Sequence, residues 1–178
     1  MDDVIVILSL GSNIEPRKVF LEKALQHLTA LPNTHHLRCS SIYETVPVDV
    51  PGAADALFFL NAIVVLETSL APKSFLTALQ AIEDRLGRIR TGRYGAPRTL
   101  DIDIIAFGDT ILNTTDLTLP HPRAHHRAFV LQPLAELLPD YRLPGHSQTV
   151  TQLLGTLVSS HKERNRVSRP VPKKSLKS

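Results

Sequence analysis

The sequence predicts an α+β fold, an antiparallel sheet with helices packed on it, running βαββαβ and followed by a C-terminal hairpin and helices. Three observations predict it. Apolar, largely β-branched runs of strand length recur at residues 4–10, 58–68 and 99–107. Two segments between them carry apolar side chains at three- and four-residue steps, the period of a helix with one buried face. The chain has 178 residues, 43% hydrophobic and 21% charged, which is ordinary globular usage and enough for one domain.

Residues 4–10 read as a buried strand that stops at Gly11-Ser12-Asn13, types that favour turns. Pro16 suits the first turn of a helix, and Phe20, Leu21, Ala24, Leu25, Leu28 and Leu31 then form one face until Pro32-Asn33 ends it. Residues 37–44 read as a second strand. Residues 45–57 hold two prolines and no persistent period, so they read as a long loop, and such loops are uncommon without a job. The third strand, 58–68, is interrupted by the polar Asn61. Pro72 opens a second helix with Phe75, Leu76, Leu79, Ile82 and Leu86 on its apolar face and Gly87 as its stop. A basic, glycine-rich stretch, 88–97, leads into the strand 99–107, and Gly108-Asp109 suggests a tight hairpin into 110–112. Residues 129–138 and 149–159 read as further helices, the second capped by Ser147. The order through residue 107 is the ferredoxin-like arrangement, with two helices on one face of the sheet.

Composition excludes several classes. The longest apolar runs fall far short of the roughly 18 residues that a membrane helix needs, so no membrane association is expected. Asp2 and Asp3 stand where a signal peptide wants positive charge, and Cys39, the single cysteine, reads as a small core side chain; both point to the cytoplasm. The net charge of +3 is uneven: residues 161–178 hold seven Lys and Arg against Glu163 alone, so the first 160 residues are acidic on balance. Residues 1–160 therefore read as one domain and 161–178 as a basic, flexible tail. The phosphate-loop and dinucleotide glycine signatures are absent, as is a Gly-x-Ser-x-Gly nucleophile turn. His121 and His125 have helical metal-ligand spacing, but Pro122 intervenes and no cysteine or glutamate is near in sequence, which argues against zinc.

The informative segment is Arg98-Thr99-Leu100-Asp101-Ile102-Asp103-Ile104-Ile105. In a strand Asp101 and Asp103 project to one face, roughly 7 Å apart, while Leu100, Ile102 and Ile104 enter the core. Two acids so placed repel each other, and a hard divalent cation such as Mg²⁺, held by carboxylates and substrate phosphates, relieves them. A solvated strand face is the plainer alternative. Arg85, Arg88, Arg90, Arg93 and Arg98 crowd the residues just before the acids, and guanidinium forks match phosphate oxygens. Gly87, Gly92 and Gly95 give this stretch the freedom of a lid, although pairing of the arginines with Glu83 and Asp84 is an ordinary outcome.

The segments Gly11-Ser12-Asn13, Phe59-Leu60-Asn61-Ala62, Leu66-Glu67-Thr68 and Pro97-Arg98-Thr99-Leu100-Asp101-Ile102-Asp103-Ile104 occur in order with Leu119-Pro120-His121-Pro122-Arg123 and Arg127-Ala128-Phe129-Val130. Over residues 4–145 this pattern resembles the 6-hydroxymethyl-7,8-dihydropterin pyrophosphokinase family of folate biosynthesis. The resemblance implies transfer of pyrophosphate from ATP to the pterin hydroxymethyl group, with AMP as the other product. It implies two Mg²⁺ ions on Asp101 and Asp103, and stabilisation of the transferred group by Arg88 and Arg98. ATP would meet Gln80, Glu83, Arg90, Arg98, Ile104, Thr118, His121 and Arg127. The pterin would lie between Phe59 and Phe129, with Asn61 on its polar edge and the backbone around Thr45 and Val48 beside it. The sequence departs from many members at Gly95, where they carry tryptophan, at Tyr94, where they carry a basic residue, and at Asp116, where some carry arginine. The partners implied are ATP and the pterin, with no nucleic acid, and the protein is expected to act as a monomer. An RNA-binding ferredoxin-like module would need stacking aromatics, yet aromatics total 5%. A Mg²⁺-dependent nucleotide hydrolase would use the same acids with water as acceptor.

Overall fold

The computed structural model describes residues 3–45, 58–89 and 96–160, and the backbone of 167–170. The elements run β1 (Val4–Ser12), α1 (Arg17–Thr29), β2 (Thr34–Cys39), β3 (Tyr43–Thr45), β4 (Phe59–Thr68), α2 (Pro72–Arg85), β5 (Asp101–Phe107), β6 (Leu112–Asn113), β7 (Thr118–Leu119), a 3₁₀ turn (Ala124–His126), α3 (Ala128–Leu137), α4 (Val150–Ser159) and β8 (Val167–Pro170). The sheet order is β5-β1-β4-β3-β8, with β2 also on β4, and every pairing is antiparallel. This is the expected ferredoxin-like core.

Both faces of the central strands are covered, which is why β1 and β4 read as continuous apolar runs instead of alternating ones. Val6, Leu8, Leu10, Val64, Leu66, Ile102 and Ile104 pack against α1 and α2 through Leu21, Ala24, Leu28, Phe75, Leu79 and Ile82. On the other face Ile7, Ile63, Val65 and Ile105 meet α3 and α4 through Val130, Leu131, Leu134, Val150 and Leu153. The expectation of helices on one face thus holds for α1 and α2, and the C-terminal helices make a third layer.

Four local features differ from the sequence reading. The expected second strand divides into β2 and β3 at Ser40, whose N–H donates to Ile63 O and whose Oγ accepts from Ile63 N–H, and β2 itself carries a register shift on β4 between His35 and Arg38, where His36 has φ 53. Gly108-Asp109 does not turn the chain back onto β5. Gly108 N–H instead donates to Ile5 O at 2.7 Å, and β6 pairs with β7 in a separate ribbon. The cap of α4 is Thr149, not Ser147, because Gln152 three residues on completes a reciprocal capping box. Within the segment expected to be a tail, Val167–Pro170 forms an edge strand on β3. Among the described residues no helix is long and apolar enough to cross a membrane.

Candidate active site

The edge strand β5 is registered on β1 with Gly11 opposite Asp101 and Ser9 opposite Asp103. Since Ile102 and Ile104 enter the α1/α2 core, both aspartates stand on the opposite face, as alternation requires. Across β1, Gly11 is also opposite Asn61 on β4. Asn61, Gly11 and Asp101 therefore form one row over three strands, about 10 Å long at the usual strand spacing. A side chain at position 11 would close that row: its Cβ would stand 3.2 Å from Asn61 Oδ1 and 3.9 Å from Phe59 Cδ1.

At one end of the row lie the side chains expected around a pterin. Asn61, buried at 5% exposure, donates through Nδ2 to Thr45 Oγ1 at 2.6 Å, and Thr45 is itself buried. Its amide oxygen faces the bare strip over Gly11. Phe59, two residues earlier in β4, is half-buried beside it, and Phe129, in the first turn of α3, packs half-buried over the same face. Val48 lies outside the described residues.

At the other end the acids meet the arginines. The two oxygens of Asp101 are paired separately, Oδ1 with Arg88 Nη1 and Oδ2 with Arg98 Nη1, each at 2.5 Å. Arg98 is held by Asn13. Its N–H donates to Asn13 Oδ1 at 2.7 Å, and Asn13 N–H donates to the Arg98 carbonyl at 3.2 Å. The sequence places Asn13 in a turn and in the resemblance pattern, without a link to Arg98. Its signal was an amide directly at the end of a buried strand, where a polar group needs partners.

Burial and the neighbouring Asp101 charge raise the Asp103 carboxyl from 3.8 to about 6, with Glu83 adding to the rise and Arg127 and Arg98 opposing it. Two carboxylates on one strand, one of them reluctant to ionise, form an oxygen donor set that fits a divalent cation.

Around this centre His121 is fixed by its N–H to Ile105 O at 2.9 Å, and its Nδ1 accepts from Arg123 N–H at 3.1 Å. Burial, then the charges of Arg127 and Arg123, lowers its pKa to about 4, so the ring is neutral at pH 7. Arg127 immediately precedes α3 and sits with Cζ 5.3 Å from the Phe129 ring centre. Thr118 lies in β7 and bonds Asn113, and Gln80 is exposed on α2.

Two of the residues implied as ATP contacts are buried. Ile104 is buried at 5% exposure in the core on the far face, because the alternation that exposes Asp101 and Asp103 turns it inward. Glu83 is buried at 3% exposure and its carboxylate bonds the protein itself, accepting from Arg88 and from Ile102 N–H. Arg90, Tyr94 and Gly95 lie outside the described residues, and Asp116 is exposed between β6 and β7.

Two acids on an edge strand, two guanidiniums paired with one of them, Asp101, and the half-buried Phe59 beside the same row make an arrangement of the kind that suits phosphoryl transfer on a ferredoxin-like sheet. Comparison with known proteins gives the family. The model of the 7,8-dihydro-6-hydroxymethylpterin-pyrophosphokinase family matches residues 7–139. The 2-amino-4-hydroxy-6-hydroxymethyldihydropteridine pyrophosphokinase of Pseudomonas aeruginosa is 45% identical over 139 residues, 78% of this chain and 83% of that protein. Its Bacillus subtilis counterpart is 44% identical over 133 residues, 75% of this chain and 77% of the relative. The chain belongs to this pyrophosphokinase family. The crystal structure of Plasmodium falciparum HPPK-DHPS with pteroate shares the fold, with a TM-score of 0.71 over 92% of this chain at 17% identity. This chain spans 46% of that one.

Proposed function

We propose that this protein transfers a pyrophosphoryl group from ATP to the hydroxymethyl group of 6-hydroxymethyl-7,8-dihydropterin, yielding the pterin diphosphate and AMP. The observation that carries the reading is the single row across the sheet: the Asn61 amide with Phe59 beside it, a bare strip at Gly11, and the Asp101, Arg88 and Arg98 group at the far end. A flat heterocycle seated at Asn61 directs its hydroxymethyl arm along the strip towards the charged group.

The bond formed joins the pterin hydroxyl oxygen to the β-phosphorus; the bond broken joins that phosphorus to the oxygen that leaves with AMP. Little covalent work falls to the protein in such a transfer, which needs position and fixed charge. Arg88 and Arg98, anchored by Glu83 and Asn13, present guanidinium donors where the charge of the moving group must be balanced. Asp101 and Asp103 would hold Mg²⁺, two ions in this reading, which neutralises phosphate charge when bound with ATP. Phe59 and Phe129 exclude water from the acceptor, and Asn61, oriented by Thr45, offers the remaining polar capacity of its amide to the pterin edge. In this reading the protein acts as a monomer in the cytoplasm, where ATP is available.

The test is product analysis after incubation with ATP and Mg²⁺, with and without the pterin. AMP formed only with the pterin, in step with a pterin diphosphate, is the expected result. AMP or ADP released without pterin would reject the transfer in favour of hydrolysis.

A further inference from the structure

Glu83 is a buried acid in the last turn of α2, doubly disfavoured there by desolvation and by the negative end of the helix dipole. Helix stability does not account for it. The chain after it is folded back onto it. Gly87, at φ 80, lets Gly87 N–H bond Asp84 O at 3.1 Å and Arg88 N–H bond Glu83 O at 3.0 Å, the reciprocal pattern of a Schellman stop. That turn returns Arg88 to the helix end, where Glu83 Oε1 accepts from Arg88 Nη1. The same oxygen accepts from Ile102 N–H at 2.8 Å, and Ile102 is the residue between Asp101 and Asp103. Arg88 Nη1 in turn reaches Asp101 Oδ1.

We propose that Glu83 is a positioning residue: one buried carboxylate oxygen sets both the guanidinium that faces the transferred group and the strand segment that carries the two aspartates. It acts through Arg88 and Ile102 without touching the nucleotide. The proposal rests on the pyrophosphokinase reading, so wild-type transfer with the pterin is established first; failure at that step rejects the reading and not the geometry.

The variants are Glu83→Gln, Glu83→Ala, Arg88→Ala and Glu83→Gln with Arg88→Ala. Glu83→Gln keeps an acceptor for Ile102 N–H but removes the charge that holds Arg88. Its kcat is expected to fall about 10- to 100-fold, the usual cost of losing an orienting partner, with the KM for ATP within about a factor of two of wild type. Added to Arg88→Ala, it should cost almost nothing more, since both changes break one linkage. Amide hydrogen exchange gives a readout apart from turnover. Ile102 N–H should stay protected in Glu83→Gln and lose protection in Glu83→Ala, with neighbouring β5 amides reporting an intact sheet. Fully multiplicative losses in the double variant, or a Glu83→Gln effect confined to the KM for ATP, would overturn the proposal and make Glu83 a nucleotide contact. Unchanged Ile102 exchange in a folded Glu83→Ala protein would overturn the strand-holding half.

Discussion

Replacing Asp103 with asparagine should make the free protein more stable. A carboxyl that ionises at 3.8 in the unfolded chain and at about 6 in the fold binds its proton more tightly when folded. Its contribution is therefore most favourable below pH 3.8, declines as pH rises through 6, and is fully unfavourable at neutral pH. At about 1.4 kcal/mol for each tenfold step in proton affinity, the ionised group costs on the order of 3 kcal/mol at pH 7. The cause is burial plus the Asp101 charge, and Asp103→Asn removes the charge while keeping the shape. For a chain of this size that corresponds to a Tm rise of about 6 to 12 °C as an upper range. The assay is thermal unfolding at pH 7.5 and near pH 4 in EDTA, without nucleotide. The rise should be present at pH 7.5 and shrink to a fraction near pH 4, while pterin turnover is largely lost. A variant no more stable than wild type at pH 7.5, or one whose gain is the same at both pH values, would refute the reasoning.

Three further outcomes are expected. His121 has the opposite linkage: its folded pKa of about 4 lies below the ordinary 6.5, so stability from its neutral ring is present above 6.5 and lost as pH falls through 4. On acidification from pH 6.5 to 4, monitored by thermal unfolding, His121→Gln should hold its Tm better than wild type and Asp103→Asn should hold it worse. Gly11→Ala places a Cβ 3.2 Å from Asn61 Oδ1, so initial-rate kinetics should show a raised KM for the pterin and a nearly unchanged KM for ATP. Asn13→Ala removes the side-chain acceptor of the Arg98 N–H and leaves only the backbone bond from position 13 to the Arg98 carbonyl; chemical denaturation should show a loss of about 1 to 3 kcal/mol, together with a fall in kcat.

The layered fold was legible because hydrophobic period is a local property: the strands at 4–10, 58–68 and 99–107 and the two helices between them emerged within a few residues of their observed ends. Elements set by distant partners were not. The break between β2 and β3 depends on Ser40, whose N–H bonds Ile63 O while its Oγ accepts from Ile63 N–H, each at 2.9 Å, a contact that no local pattern records. The ribbon of β6 and β7 likewise formed because Gly108 was claimed by Ile5. Within the site, the face shared by Asp101 and Asp103 followed from strand alternation alone. The same alternation, applied one residue further, turns Ile104 inward. Pairing of Glu83 with Arg88 stood in the sequence reading as the plainer alternative; its link to Ile102 needed the approach of α2 to β5.

The site gathers side chains that local preferences reject: two acids on one strand, an acid at a helix C-terminus and an amide in an apolar strand. Each is offset by a backbone device close by. The Gly87 turn returns Arg88 to Glu83, Asn13 pins Arg98, and the register of β1 on β4 and β5 aligns Asn61 with Asp101 through a residue that has no side chain. The opposite face of the same strands is filled by α1 and α2 with large, fully buried residues such as Phe75, Leu79 and Leu28. That packing fixes the strands where the charges are carried, so the unfavourable groups cannot relax by sliding a strand: a shift of one residue would turn Ile102 and Ile104 out of the core. The apolar layer thus does more than stabilise the domain. It supplies the rigidity that keeps destabilising carboxylates in place, where in the proposed function a cation would neutralise them.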